Sequence, residues 1–379
     1  MKNNFMANKN LTDAKNAKND EFYTQYGDIQ KEIGAYLDYN PSVFRGKVVY
    51  CNCDDPFESN FFRYFVLNFK KLGLKQLITT SYKPSPVANT QLGLFGNDKT
   101  LTKSKGRPKV TANKFIINEV KDIDGDGEFN LKDVAKQLKT NKNNEWTPLK
   151  DDGDFRSNEC INLLKQSDIV VTNPPFSLFR DYIKQLIEHN KQFVIIGSMN
   201  VITGKEMFPL IKNNKLWLGN GFHAGNAYFF TPNVREFASG VYDKKTGLVK
   251  FRNVCWFTNL DHGRRHQPLP LMKMDENLKY SKHKEIRGKK SYDKYDNYNA
   301  IEVSFTDAIP SDYEGVMGVP ISFLDKYNPD QFEILGSDYN IKEGLLPELV
   351  NMKWKGKLDR GYVNNKRLFT RIFIKHRKK

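Results

Sequence analysis

Short apolar runs alternate with amphipathic segments through the first half of the chain, and this alternation restricts the fold more than any other feature. Runs with strand character occupy residues 46–55, 75–82, 167–171 and 192–197. Segments with an apolar face at helical spacing occupy residues 60–72, 131–138 and 177–190. Strands and helices that alternate at short spacing predict an α/β fold with a parallel sheet.

The length and composition predict more than one domain. The chain has 379 residues, of which 39% are hydrophobic and 13% aromatic, as is typical of a globular protein. Near Asn259 the alternating pattern gives way to basic, turn-rich sequence. We therefore predict a flexible N-terminus at residues 1–19, an α/β domain at residues 20–259 with a basic insertion near residues 83–113, and a second domain at residues 260–379.

The formal net charge of +16 favours a polyanionic partner, and nucleic acid above all. The last 29 residues contain eleven cations and the single acid Asp359, with aromatic side chains between them. The candidate phosphate contacts in this tail are Lys353, Lys355, Lys357, Arg360 and Arg371. A second basic run, KTLTKSKGRPKVTANK, contains Arg107, which resembles a minor-groove hook.

Other features argue against a resident metal and a membrane span. The four cysteines have neither disulfide nor zinc spacing, and we expect His262 and His266 to be surface residues. An acidic stretch follows calcium-loop spacing at Asp122, Asp124, Asp126, Glu128 and Asp133. A plain acidic turn that caps the next helix explains it better, so we predict no metal. No apolar run approaches the roughly 20 residues of a membrane helix, and no apolar signal core is present, so we expect a cytoplasmic protein.

The stretch SDIVVTNPPF ends an apolar strand in Asn173, Pro174, Pro175 and Phe176. Open α/β sheets bind ligands just past the carboxyl ends of their strands. Two successive prolines fix the backbone there, so the Asn173 amide, the Pro174 carbonyl and the Phe176 ring are aimed in advance. Two acceptors and a stacking ring suit an exocyclic amino group of a base, whose lone pair they direct toward an incoming methyl group.

Three further stretches, DEFYTQ, CDDPFESNF and DGDFRS, accompany this motif. With them the chain, from about Asp20 to its C-terminus, resembles adenine-specific DNA methyltransferases, and more narrowly the EcoRI methylase family. The resemblance implies a Rossmann-like methyltransferase sheet with a C-terminal DNA-recognition domain. It also implies that Asn173, Pro174, Pro175 and Phe176 are catalytic and act on an adenine flipped out of duplex DNA.

The resemblance further implies S-adenosyl-L-methionine as cofactor. Its binding residues would be Tyr23, Thr24, Gln25, Asp54, Asp55, Pro56, Asp154 and Phe155. The chain departs from most methyltransferases at the cofactor loop, where Glu58, Ser59 and Asn60 replace glycines. The implied partner is duplex DNA, in restriction-modification or epigenetic marking, and the first of these roles alone would add a cognate restriction endonuclease as partner.

Two alternatives remain open at this stage. RNA guanine and protein glutamine methyltransferases also use an Asn-Pro-Pro-aromatic motif, although the large basic C-terminal region fits duplex DNA better. A DNA-binding protein on the same fold without catalysis is the second alternative, and the glycine-poor cofactor loop is its support.

Overall fold

The computed structural model describes residues 23–53, 59–82, 112–123, 133–134, 136–137, 143–223, 225–230 and 237–377. These residues belong to two compact units. The first unit extends through Met199 and also contains Gly219–Asp261, and the second contains Asn200–Leu218 and the residues from His262 onward. No single cut in the chain separates the two units, in contrast to the one boundary that the sequence predicts near residue 259.

The strands are short, as is usual in globular proteins. In chain order they are β1 (Tyr23–Thr24), β2 (Val48–Cys51), β3 (Gln76–Thr80), β4 (Asn113–Ile117), β5 (Glu145–Pro148), β6 (Ile169–Thr172), β7 (Gln192–Ser198), β8 (Trp217–Leu218), β9 (Ala227–Phe230), β10 (Tyr242–Asp243), β11 (Leu248–Phe251), β12 (Val254–Thr258), β13 (Ile301–Glu302), β14 (Met317–Pro320), β15 (Phe332–Ser337), β16 (Tyr362–Val363), β17 (Lys366–Arg367) and β18 (Arg371–His376).

The helices are α1 (Tyr26–Tyr39), α2 (Asn60–Leu67), α3 (Phe69–Leu72), α4 (Asn158–Gln166), α5 (Phe179–Glu188), α6 (Phe208–Lys212), α7 (Met274–Tyr280) and α8 (Asp338–Lys342). Residues 133–134 and 136–137 are also helical, within the helix predicted at residues 131–138. None of the described helices combines the length and hydrophobicity needed to cross a membrane.

The main sheet of the first unit confirms the α/β class. Seven of its strands follow the order β5-β4-β3-β2-β6-β7-β12. The four central strands, β3, β2, β6 and β7, run parallel to one another. The sheet is mixed at its edges, because β4 pairs antiparallel with β3, and β12 pairs antiparallel with β7.

Helices α2 and α3 correspond to one predicted helix, which Asn68 interrupts. The Asn68 side-chain amide donates to the Tyr64 carbonyl at 2.8 Å, so it competes with the backbone for that acceptor. Three rings of α2 are fully buried in the core of the first unit, namely Phe61, Phe62 and Phe65. The interruption therefore leaves the predicted apolar face intact.

A second sheet of the first unit has no counterpart in the prediction. Its order is β1-β9-β11-β10, and β1 consists of Tyr23 and Thr24 alone. Tyr23 pairs with Phe230, and Thr24 pairs with Phe229. The first described residues of the chain are thus fixed by residues about 200 positions later in the sequence.

The second unit contains more regular structure than its turn-rich sequence predicts. Its sheet has the order β13-β14-β18-β15, so the C-terminal strand β18 lies between two others. Ile372, Phe373 and Ile374 of this strand are fully buried. The first part of β18, within the basic tail, therefore belongs to the core.

Arg371 begins β18 and is only 7% exposed. Its Nη2 atom lies 2.6 Å from Oε1 of Glu302, which is also buried, and its backbone N–H donates to Asp338 at 2.6 Å. Tyr295 donates a further hydrogen bond to Glu302. The buried carboxylate is therefore neutralised by one cation and held by a second donor.

The pair gives a stability prediction. Arg371→Ala leaves the Glu302 carboxylate buried without a cation, and we expect it to lower the free energy of unfolding by about 3–5 kcal/mol. Arg367→Ala is the matched control, because the Arg367 pair with Asp359 is exposed to solvent and should contribute little. Urea unfolding midpoints of the two variants measure the difference, and equal midpoints would contradict this role of Arg371.

Candidate functional site

Three polar residues stand just past the carboxyl ends of neighbouring parallel strands in the first unit. Asn52 follows β2, Ser81 follows β3, and Asn173 follows β6. The strand order reverses between β2 and β6, because β3 lies on one side of this pair and β7 on the other. A reversal of this kind opens a crevice at the carboxyl ends of the strands, where such sheets bind ligands.

Asn52 joins the ends of β2 and β6. It is 4% exposed, and its backbone carbonyl accepts a hydrogen bond from the Thr172 hydroxyl. Its side-chain carbonyl accepts a second bond from the hydroxyl of Tyr182, on α5. Burial raises the pKa of Tyr182 well above its usual value, so this hydroxyl remains a donor throughout the physiological pH range.

The loop before α4 reaches the same place through Phe155. The rings of Phe155 and Tyr182 meet edge to face, with centroids 4.9 Å apart. Gly153 has φ of +79°, and a side chain at this position would overlap the Ser81 carbonyl. The glycine therefore lets the loop lie directly against the end of β3.

Asp154 lies in this loop, in an acidic surface cavity. The residues that line the cavity are Asp151, Asp152, Asp154, Arg156, Ser157 and Asn158. The Asp154 carboxylate accepts from Arg156 Nε at 2.9 Å and from Nη2 at 2.6 Å. Asp154 is thus held in a fixed orientation by Arg156, which the sequence did not predict.

The Asn-Pro-Pro-Phe stretch turns sharply out of β6. Asn173 is 8% exposed, Pro174 is buried, and Pro175 and Phe176 are half-buried. A short 3-10 helix begins at Phe176, and the Leu178 N–H donates to the Pro175 carbonyl at 2.9 Å. The Phe176 ring packs edge to face on Phe251, with centroids 5.8 Å apart.

The segment Tyr23–Gln25 lies close to this motif through a row of rings. Phe251 packs edge to face on Phe229 at 5.5 Å, and Phe229 is the strand partner of Thr24. Tyr23 and Thr24 are buried, and the Gln25 side chain donates to the Tyr228 carbonyl at 2.9 Å. The predicted cofactor segment and the predicted catalytic motif are therefore connected by one row of packed rings.

The residues around the glycine-poor loop have structural partners. Ser59 caps α2, because its hydroxyl accepts from the N–H groups of Phe61 and Phe62 at 3.2 and 3.3 Å. The Asn60 side chain donates to the Thr24 carbonyl at 2.8 Å. The first turn of α2 is thus connected to the segment Tyr23–Gln25.

Some predicted residues lie outside the described part of the chain. They are Asp54, Asp55 and Pro56 of the cofactor loop, Arg107 of the basic insertion, and Asp124, Asp126 and Glu128 of the acidic stretch. Of the remaining acidic candidates, Asp122 precedes this gap, and Asp133 is buried and accepts from the Ile123 N–H at 3.0 Å. Within the described ranges, no three His, Cys, Asp or Glu side chains form a group suited to a metal ion.

The predicted cations of the tail differ in exposure. Lys353, Lys355 and Lys357 are exposed, and Arg360 is partly exposed. Arg371 is inside the second unit and paired with Glu302, so its position differs from the one that a phosphate contact requires. His262 is also buried, with Nε2 2.9 Å from the Leu218 carbonyl oxygen, so its predicted surface position is wrong.

Sequence reasoning missed three buried polar residues of the first unit. Asn52 and Tyr182 form the central hydrogen bond of the candidate site, and Glu32 is fully buried in α1. The Glu32 carboxylate accepts from the N–H groups of Asn220 and Gly221 at 3.0 and 2.6 Å. An acid on the apolar face of α1 is the signal available for Glu32, whereas Tyr182 looks like an ordinary member of the apolar face of its helix.

Comparison with known proteins agrees with this arrangement. A family model described as "Adenine-specific methyltransferase EcoRI" matches residues 10–377. The chain belongs to the EcoRI adenine-specific methyltransferase family. It is 40% identical to type II methyltransferase M.EcoRI of Escherichia coli, over 95% of this chain and 98% of that protein.

Two mycoplasma proteins are also similar over nearly their whole length. Type II methyltransferase M.MpnI of Mycoplasma pneumoniae and type II methyltransferase M.MgeORF184P of Mycoplasma genitalium are each 34% identical to the chain. Each match covers 96% of this chain and 97% of the relative. No solved structure matches the chain significantly.

Membership in the EcoRI methyltransferase family confirms the resemblance inferred from the motifs. The chain is an adenine-specific DNA methyltransferase of the restriction-modification type. This result favours DNA adenine over RNA guanine and protein glutamine as the methylated group.

The geometry of the loop before α4 gives a prediction. Gly153→Ala places a methyl group against the Ser81 carbonyl in a left-handed backbone conformation, so we expect a loss of about 1–3 kcal/mol in stability. Gly34→Ala is the control, because Gly34 lies in α1 with open space around it, and alanine there should stabilise the helix slightly. Urea unfolding compares the two, and hydrogen exchange should show faster opening of residues 151–155 in Gly153→Ala alone.

Proposed function

We propose that Asn173, Pro174, Pro175 and Phe176 catalyse methyl transfer to the exocyclic amino group of a flipped-out adenine in a specific duplex sequence. The observation that carries this proposal is the hydrogen-bonded junction at Asn52. Through Thr172 and Tyr182, that junction brings the catalytic motif and the loop of Phe155 to the same end of the sheet. Methyl transfer requires that the methyl donor and the methyl acceptor bind side by side, and this end of the sheet offers a place for both.

The residues at the crevice fit S-adenosyl-L-methionine. The cofactor, when bound, supplies an electrophilic methyl group on a positively charged sulfur. Phe155 offers a ring for its adenine, and the acidic loop around Asp154 offers acceptors for amino groups and a negative field for the cation. Tyr23, Thr24 and Gln25 close the site on the side of β9, and we assign Asp54, Asp55 and Pro56 to the cofactor on family resemblance alone.

The side-chain and backbone groups of the proposed catalytic motif have distinct tasks. The Asn173 side-chain oxygen and the Pro174 carbonyl accept the two hydrogens of the target amino group, which directs its lone pair toward the methyl carbon. Both prolines hold these acceptors in place, so little reorganisation is needed during the reaction. The Phe176 ring, oriented by Phe251, stacks on the flipped base.

We assign a Rossmann-like methyltransferase architecture to residues 20–259 and target recognition to residues 260–379. The reversal of strand order at β2 and β6 supports the first assignment. The exposed cations Lys353, Lys355 and Lys357, with Arg360, support the second. A methyltransferase of this type protects cellular DNA, so we also propose a cytoplasmic location and a cognate restriction endonuclease.

The catalytic assignment is tested at Asn173. Asn173→Ala should bind cofactor and DNA almost normally and lose a factor of roughly 100 to 1,000 in single-turnover methylation, because its acceptor matters most in the transition state. Phe176→Ala should also weaken trapping of the flipped base, which a fluorescent adenine analogue at the target would report. A rate for Asn173→Ala within about threefold of wild type would remove Asn173 from this role.

The cofactor assignment is tested at Asp154. Asp154→Ala should weaken the binding of S-adenosyl-L-methionine, measured by calorimetry, by about 1–3 kcal/mol, because it removes a charged acceptor. Asp151→Ala is the control, since it removes an exposed acid from the same cavity. Loss of DNA binding together with cofactor binding would instead indicate that Asp154 supports the fold through Arg156.

The DNA assignment is tested in the tail. Replacing Lys353, Lys355 and Lys357 by alanine should flatten the dependence of log Kd on log salt by about 1 for each phosphate that these lysines neutralise. The charge-matched control replaces Lys284, Lys290 and Lys342, which are exposed lysines elsewhere in the same unit. Equal slopes for the two triple variants would show that the tail has no special part in DNA binding.

A further inference from the structure

Residues 295–299, Tyr-Asp-Asn-Tyr-Asn, form a scaffold segment that holds the tail of the second unit. Asn297 is fully buried, and its side chain accepts from the Tyr362 N–H at 2.9 Å and donates to the Arg360 carbonyl at 2.7 Å. Its backbone carbonyl accepts from the Asn351 N–H at 3.0 Å. One buried residue thus fixes both the stretch before β16 and the start of the lysine-rich stretch at residues 351–357.

Neighbouring residues of the scaffold segment add to this support. The Asp296 carboxylate accepts from the Asn365 N–H at 2.8 Å, and the Asp296 N–H donates to the Tyr362 carbonyl at 2.8 Å. The Tyr298 hydroxyl donates to the Leu358 carbonyl at 3.0 Å. The side chains of Asp296, Asn297 and Tyr298 therefore all fix backbone atoms of the tail.

Three of these hydrogen bonds end at Tyr362 and Asn365, in the hairpin formed by β16 and β17. Tyr362 pairs with Arg367, and Val363 pairs with Lys366. Asn364 and Asn365 between them have φ of 50° and 61°, which is the left-handed geometry of a tight two-residue turn. Gly361 at the base of the hairpin lies against the Tyr295 ring, where a side chain would overlap it.

The tip of this hairpin is exposed and chemically suited to base edges. Asn364, Asn365, Lys366 and Arg367 are all exposed. A two-stranded ribbon fits the DNA major groove, where an asparagine amide pairs with adenine and a lysine with guanine. Asparagine suits this left-handed turn, and its exposed amide also presents the donor and acceptor pair that an adenine edge requires. Arg367 is held by Asp359 at 2.6 Å, which leaves Lys366 as the cation of the tip that is not paired in this way.

We propose that the Tyr362–Arg367 hairpin enters the major groove of the substrate DNA and that Asn364, Asn365 and Lys366 read base edges there. This inference rests on the proposed function of residues 260–379 as the DNA-recognition part of the chain. The scaffold segment fixes the direction of the hairpin before DNA binds, so Asp296 and Asn297 are positioning residues. A reader that is ordered in advance loses less conformational entropy on binding and discriminates better between sites.

The test combines Asn364→Gly, Asn365→Gly and Lys366→Ala. Glycine keeps the left-handed turn while it removes each amide, so the hairpin should persist. Methylated adenines are mapped in DNA from cells that express this variant, the wild type, or Lys342→Ala as an exposed-lysine control. We expect the hairpin variant to methylate sites that differ from the wild-type motif at one or more base pairs, with discrimination there reduced by about 5- to 150-fold.

Two results would overturn the inference. An unchanged motif with unchanged discrimination would show that the tip does not read bases, and an even loss of methylation at all sites would assign Lys366 to a phosphate. If the variant methylates no DNA, competition binding of the purified protein to wild-type and singly mismatched duplexes measures the same ratio without catalysis. Failure of the wild type to methylate adenine would count against the proposed function, whereas an intact motif in the hairpin variant counts only against the reader.

The positioning role has its own readout in Asn297→Ala. Faster hydrogen exchange at residues 360–365 and a relaxed methylation motif are expected together, although Asn297 is fully buried and touches no DNA. A purely structural role would lower the unfolding midpoint and leave the motif of the remaining activity unchanged.

Discussion

Asn52 uses its two carbonyl oxygens to join the ends of neighbouring strands, and the candidate site is built around that junction. A buried amide oxygen without a donor costs about 1–3 kcal/mol, so the hydroxyls of Thr172 and Tyr182 have to remain where they are. Thr172 immediately precedes the proposed catalytic motif, and Tyr182 is the packing partner of Phe155. Because Asn52 has to keep both of its donors, it sets the distance between the proposed catalytic motif and the loop of Phe155.

The parts of the fold that the sequence predicts are those with a local signal. Strands β2 and β6 are apolar runs, and the helical period of α5 is visible within one window of sequence. Strand direction has no such local signal, because it depends on how strands pair in three dimensions, and β4 pairs antiparallel with β3. Likewise β1 is only two residues long and exists because β9, some 200 residues later, pairs with it.

The same distinction holds for the site. Asn173 to Phe176 could be identified because two prolines between an amide and a ring are rare in any chain. Arg371 was misjudged because sequence counts its charge but does not show Glu302, which is 69 positions away and forms the other half of a buried pair. Asn52 has the same difficulty, since its partner Tyr182 is 130 positions away and looks like an ordinary apolar residue of a helix. Polar groups that satisfy each other across the fold are visible only in three dimensions.

The scaffold segment at residues 295–299 has a consequence for how this family can change. Its side chains bind backbone amides and carbonyls of the tail, such as those of Arg360, Tyr362 and Leu358. Every amino acid except proline supplies those same backbone groups. Substitutions in the tail can therefore alter what its surface presents while its shape stays the same. The shape and the surface chemistry of the tail are set by different stretches of the chain, so mutation can change what the proposed base reader presents without first having to rebuild the fold.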